Sequence, residues 1–167
     1  MAEKNNALTA DERMEAATKI LNDYEAHAGL PTPVSPGSEE ELQEYFSMSR
    51  DEIERLSAEG CASIAYRLAQ YALYIQRLNN RECARLNWAK AVLSESIAKD
   101  YSNYSKYTKY EVRVALMAEE NTYVDRIQKI INAAQLRLDR LSFLSNNIKY
   151  LSEVMIANQR VKKNVGQ

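Results

Sequence analysis

All three prolines of this chain lie between positions 31 and 36, and beyond residue 37 the only glycines are Gly60 and Gly166. Proline removes a backbone donor and clashes with the preceding helical turn, so its placement decides where a helix can run. Everything after the proline cluster is free to be helical. The composition agrees, being rich in Ala, Leu, Glu, Lys and Arg and poor in Phe. An all-α protein follows.

Local signals divide the chain further. Residues 9–28 read as a short amphipathic helix. Thr9 with Glu12 makes a capping box, Met14, Ala17, Ile20, Leu21 and Tyr24 fall to one side, and Gly29 closes it. The segment Leu30 to Gly37 is a proline-rich linker. Ser38 with Glu41 predicts a second capping box, for a brief acidic helix to about Phe46, and Ser49 with Glu52 a third. A long helical pattern then runs to about Tyr104 through Ile53, Leu56, Ile64, Leu68, Tyr71, Ile75, Leu78, Leu86, Ala89, Leu93 and Ile97. Gly60 is a candidate kink. The polar stretch Asn79-Asn80-Arg81-Glu82 is a candidate break, but it lacks Pro and Gly, which favours continuity. A turn is expected over Tyr101–Tyr107. Thr108 with Glu111 predicts a fourth capping box, opening a helix from about Lys109 to about Lys162. Its stripe is Tyr123, Ile127, Ile130, Ala134, Leu138, Leu141, Leu144, Ile148, Leu151 and Met155, a coiled-coil-like spacing.

Two long helices joined by a turn make an antiparallel helical hairpin. The expected organisation is an acidic N-terminal arm, residues 1–48, and a hairpin domain, residues 49–167. Trp88, Val92, Ile131, Phe143 and Ile156 lie off the hairpin stripe, and a two-helix hairpin has little core. Self-association into a helical oligomer is therefore expected. The alternative is that the N-terminal helices fold back and cover this surface.

Charge is split along the chain. Residues 1–60 hold five bases and fourteen acids, a net −9, and residues 61–167 hold seventeen bases and nine acids, a net +8. A basic body suits a polyanion, and an acidic arm suits a basic partner or simple solvation. Within the body, the stretch from Lys99 to Arg113 sets four tyrosines three apart (Tyr101, Tyr104, Tyr107 and Tyr110), interleaved with Lys106 and Lys109. Aromatic faces stack on unpaired bases and ammonium groups attract phosphate, the combination that sequence-tolerant single-strand binding uses. Half-buried packing tyrosines on one helical face are the alternative.

Other chemistry lacks material. His27 is the only histidine, no glycine-rich phosphate loop exists, and Glu119, Glu120 and Asp125 read as solvated helix charge. No catalytic residue, metal site or cofactor is expected, and the chain reads as a binding and assembly protein rather than an enzyme. Cys61 and Cys83 lie 22 positions apart in one helical pattern and cannot bridge along a straight helix. The opening residues lack a signal peptide's basic start and apolar core, and no run is long enough for a membrane span. A cytoplasmic protein is expected.

Residues 64–160 resemble the phage recombination mediators of the UvsY type. The resemblance is carried by Leu78-Asn79, by Lys90 to Tyr101 ending in Asp100-Tyr101, by Glu111 to Glu119, and by Leu138-Asp139, Ser142 and Ile148-Lys149. It implies a small helical protein acting as a ring-like homo-oligomer in the host cytoplasm. It further implies binding of single-stranded DNA and the loading of a RecA-like recombinase onto strands held by a single-strand binding protein. The family's basic residues lie just before the Asp-Tyr turn. Here Lys90 and Lys99 stand in that stretch, Glu95 opposes them, and Lys106, Lys109 and Arg113 beyond the turn are candidate substitutes.

The expected strand-binding site is thus Lys90, Lys99, Tyr101, Tyr104, Lys106, Tyr107, Lys109 and Arg113, serving DNA recombination, repair and replication. Two alternatives stand beside it: a helical structural or scaffolding oligomer, for example in a phage particle, and a helicase-loading adaptor.

Overall fold

The computed structural model of the protein describes residues 8–30, 32–99 and 107–165. Among these residues the chain forms seven helices and no strand. They are α1 (Ala10–His27), α2 (Glu39–Ser47), α3 (Arg50–Arg55), α4 (Ala58–Lys99), α5 (Tyr110–Glu120), α6 (Thr122–Leu141) and α7 (Leu144–Val165). The all-α expectation holds, with long helices packed on one another.

The starts of the early helices follow their caps. Thr9–Glu12 and Ser49–Glu52 form complete capping boxes. Ser38 accepts the Glu41 N–H, but the Glu41 carboxylate turns away to accept the Tyr45 hydroxyl at 2.6 Å. Gly29, at φ 71, follows the end of α1, a conformation that suits glycine. Helix α4 runs without interruption through Asn79 to Glu82.

Other boundaries differ from expectation. The first break in the body falls at Leu56-Ser57, not at Gly60. Ser57 caps α4 by accepting the Gly60 N–H at 3.0 Å, so Gly60 sits inside the first turn. The helix expected from Lys109 to Lys162 is three helices. Asn121 interrupts it in extended conformation, and its side-chain oxygen accepts the Tyr123 N–H at 2.9 Å, capping α6. Ser142 and Phe143 interrupt it again, with Phe143 at φ 61. The fourth capping box does not form. Lys109 occupies the cap position of α5 with no side-chain bond, which leaves Thr108 one residue too early.

The chain forms two compact units, Met1–Thr32 with Arg81–Asp139 and Pro33–Asn80 with Arg140–Gln167. This division differs from one at residue 48, because α4 contributes to both units and the N-terminal segment is shared between them.

In the first unit Ala89, Leu93 and Ile97 of α4 pack with Val114 and Met117 of α5 and with Val124, Ile127 and Ile130 of α6. Helix α1 folds back on this core. Its Ala10 is buried within it, and Met14 packs against it together with Trp88, Val92 and Ile131. These last three are residues expected to be left for self-association, so the N-terminal helix covers much of the surface from which an oligomer was inferred.

In the second unit Ile64, Ala65, Leu68, Ala72 and Ile75 of α4 pack with Ile148 and Met155 of α7, joined by Tyr45, Ile53, Leu56 and Ile156. The two helices run antiparallel in close contact. Ser145 Oγ donates to the Ala72 carbonyl at 2.9 Å and Ser152 Oγ to the Ala65 carbonyl at 2.8 Å. Both partners step by seven residues, and only small side chains let a hydroxyl reach a neighbouring backbone. Along α7 the expected stripe positions Ile148 and Met155 are buried. Ser152 is 4% exposed, whereas Leu151, expected on the stripe, is 38% exposed. At the far end of α7, Lys162 Nζ donates to the carbonyls of Ile53, Glu54 and Leu56 at 2.6–3.0 Å, closing the C-terminus of α3.

Candidate nucleic-acid interface

The packing of α5 decides which residues near its start face water. Val114 and Met117 are drawn into the core, so the same side of the helix is buried and the positions between them turn outward. Arg113 falls on the inner side and is 9% exposed, while Lys109, four residues earlier, remains exposed. A guanidinium so enclosed does not meet a phosphate on the surface of this fold. The expected role of Arg113 as a strand contact is therefore corrected to that of a residue within the packed unit.

Tyr107 and Tyr110 precede and open α5, 84% and 52% exposed. Lys99, the last residue of α4, is exposed as well. Ile97 and Val114 belong to the same core cluster, which brings the last turn of α4 and the first turn of α5 onto one unit. Lys90 is exposed too, but nine residues before Lys99 it projects roughly 180° away around α4. Lys99 closes α4 and Tyr107 and Lys109 precede α5 in the same unit, while Lys90 lies farther back along α4. Tyr101, Tyr104 and Lys106 lie outside the described residues.

The comparisons with known proteins belong with this geometry. No protein-family model, curated protein or solved structure matches the chain.

Tyr110 was part of the tyrosine series but not of the expected site, and its exposure adds it. A second set of basic and aromatic side chains also escaped the sequence reading. Arg81 and Trp88 on α4, with Tyr123 and Arg126 on α6, meet helix α1. The step of seven from Arg81 to Trp88 marks a single helix face, but nothing local says that α1 covers it.

Ion pairs and hydrogen bonds accompany the apolar packing of Ala10 and Met14 in that covering. Arg126 makes a two-pronged pair with Asp11 at 2.7 and 2.8 Å. The hydrogen bond from Arg126 holds the Asp11 carboxyl below its ordinary range, and the same bond raises the Arg126 guanidinium. Arg81 bonds Asn22 and lies 3.7 Å from Glu25. In the second unit Arg67 pairs with Glu41. The first unit as bounded holds thirteen bases and fourteen acids, and the second nine of each. The charge split along the sequence is thus cancelled within each unit.

Elsewhere Glu82, buried on α4, bridges Arg85 at 2.6 Å and Arg137 at 2.7 Å. Cys61 and Cys83 are free thiols. Among the described residues no three His, Cys, Asp or Glu side chains are placed to share a metal ion, and no helix is long and apolar enough to cross a membrane.

Proposed function

We propose that this protein is a single-stranded DNA-binding accessory factor of recombination, a non-enzymatic mediator that helps load a RecA-like recombinase. The observation that carries this reading is the exposure of Tyr107 and Tyr110 with Lys109 between them in sequence, and of Lys99 at the end of α4. Packing tyrosines would have been drawn inward, as Val114 and Met117 are. Displayed rings with adjacent ammonium groups suit bases stacked above and phosphates paired alongside. The resemblance of residues 64–160 to UvsY-type mediators supports the recombinase and the single-strand binding protein as partners. It also supports a homo-oligomer, which would multiply weak contacts into avidity.

A helical scaffolding oligomer is the second reading. Val112 and Leu116, one turn apart on α5, favour it because both are exposed and apolar.

Fluorescence anisotropy of a labelled single-stranded oligonucleotide, with a duplex of equal length beside it, tests the choice. The mediator reading expects salt-sensitive binding that prefers the single strand. Lys99→Glu with Lys109→Glu is expected to weaken it by roughly tenfold or more without loss of helicity. Absence of binding at low salt by folded protein would leave the scaffolding reading in possession.

A further inference from the structure

We propose that α1 is an acidic internal competitor. It occupies a second strand-binding face formed by α4 and α6, and a single-stranded nucleic acid displaces it. The inference takes its ligand class from the strand-binding reading above.

The covered face has the composition that such a ligand requires. Arg81 and Trp88 share one side of α4, and Tyr123 and Arg126 lie one turn apart on α6. Helix α1 meets these groups with anions and a planar cation. Asp11 takes both donors of Arg126, and Glu25 stands by Arg81. The Arg13 guanidinium lies over the Tyr123 ring, 5.4 Å from its centre, where a base would stack. Met14 packs with Trp88 on the common core. Asp11 and Glu25 are fourteen residues apart, about 21 Å along the helix, so their carboxylates mark the ends of a track long enough for several nucleotides.

The hold of α1 is weak enough to be broken. Ala10 is its one buried residue among eighteen. Ile20 and Tyr24 point into water, and even Leu21, on the inner side beside Trp88, stays exposed. Its ion pairs are surface pairs, which contribute little each and are screened by salt. A polyanion offers Arg81 and Arg126 the same partners with the additional gain of counterion release. The connection after α1 has neither helix nor strand over residues 32–38, so α1 can leave without unravelling another element.

Trp88 is the only tryptophan in the chain, which makes the test direct. A labelled single-stranded oligonucleotide is titrated into the full-length protein while anisotropy and Trp88 emission are recorded together. The same titration is run on Asp11→Asn with Glu25→Gln, and on Glu15→Gln with Glu44→Gln, which removes equal charge away from the face. Trp88 emission is expected to change with the same midpoint as anisotropy. The Asp11/Glu25 variant is expected to bind roughly three- to tenfold more tightly than the charge-matched control. Adding Arg81→Gln and Arg126→Gln should abolish that gain.

Binding with unchanged Trp88 emission, and no advantage of the Asp11/Glu25 variant over the control, would overturn the inference and leave the mediator reading standing. Binding by the Asp11/Glu25 variant alone would support the inference and remove the Tyr107–Tyr110 end as a sufficient site. Binding by neither would overturn both.

Discussion

Tyr45 shows how a single contact sets a pH response. Its hydroxyl donates to Glu41 at 2.6 Å, and this bond, with partial burial and the Glu41 charge added, pushes the phenol up to about 12. The native state therefore keeps a proton that the unfolded chain releases near pH 10. The stabilisation is fully present below pH 10 and disappears as pH rises toward 12. Urea midpoints measured at pH 9 and pH 11 should fall less in Tyr45→Phe than in the parent; equal falls would detach Tyr45 from the alkaline loss. Arg113 is the corresponding case of a residue misjudged from its neighbours. In sequence it continues the basic series of Lys106 and Lys109, and only the direction in which α5 rolls puts it inside. Tyr107 and Tyr110 went the other way, and no local property distinguishes them from packed tyrosines.

At the scale of elements, the period of α4 was readable along its length. Ile64, Leu68, Ile75, Leu86, Ala89, Leu93 and Ile97 are all buried, as their three-four spacing requires. Along α7 the stripe held at Ile148 and Met155, which are buried, and missed at Leu151; the breaks at Asn121 and Phe143 were not foreseen. Asn121 had a legible signal, an Asn followed by an acid in the first turn, Asp125. Phe143 had none, since φ 61 is a conformation that a bulky residue disfavours. Exposed on 74% of its surface, it lies off the hairpin stripe, as its spacing required. At one position of α7 the packing opposes the sequence stripe, with Ser152 buried in place of Leu151. Leu151→Ser should cost less than about 1 kcal/mol, while Ser152→Leu should cost about 1–3 kcal/mol by forcing a large side chain against the Ala65 backbone. Chemical denaturation of the two variants decides it, and the reverse order would put Leu151 on the buried side.

At the scale of the whole molecule, the main lesson concerns charge. A body of net +8 suggests a broad polyanion-binding surface, but folding brings N-terminal acids to Arg67, Arg81 and Arg126 and leaves both units close to neutral. Affinity for a single strand should then arise from a few local cations. The slope of log K against log salt is expected near −1.5, from two lysines at about −0.7 each. A slope near −6 would mean that the basic body as a whole engages the strand. With α1 undocked the slope should steepen as Arg81 and Arg126 join. Self-association, too, changes its footing. Much of the apolar surface that called for a partner chain is met within the chain by α1, and Val112, Leu116 and the outward Ile20 and Tyr24 are among the large apolar residues that stay exposed.

The sequence by itself determined what is local. It confined proline to one short segment, capped α1, α2 and α3 with Thr9, Ser38 and Ser49, and repeated apolar residues along α4, which together dictate a helical chain with those starts. Only the tertiary structure decided which side of α5 turns inward, where the second half of the chain breaks at Phe143, and which helices α1 covers. Those outcomes depend on contacts between residues as far apart as Asp11 and Arg126, and hydrophobic spacing within one helix carries no information about the face of another.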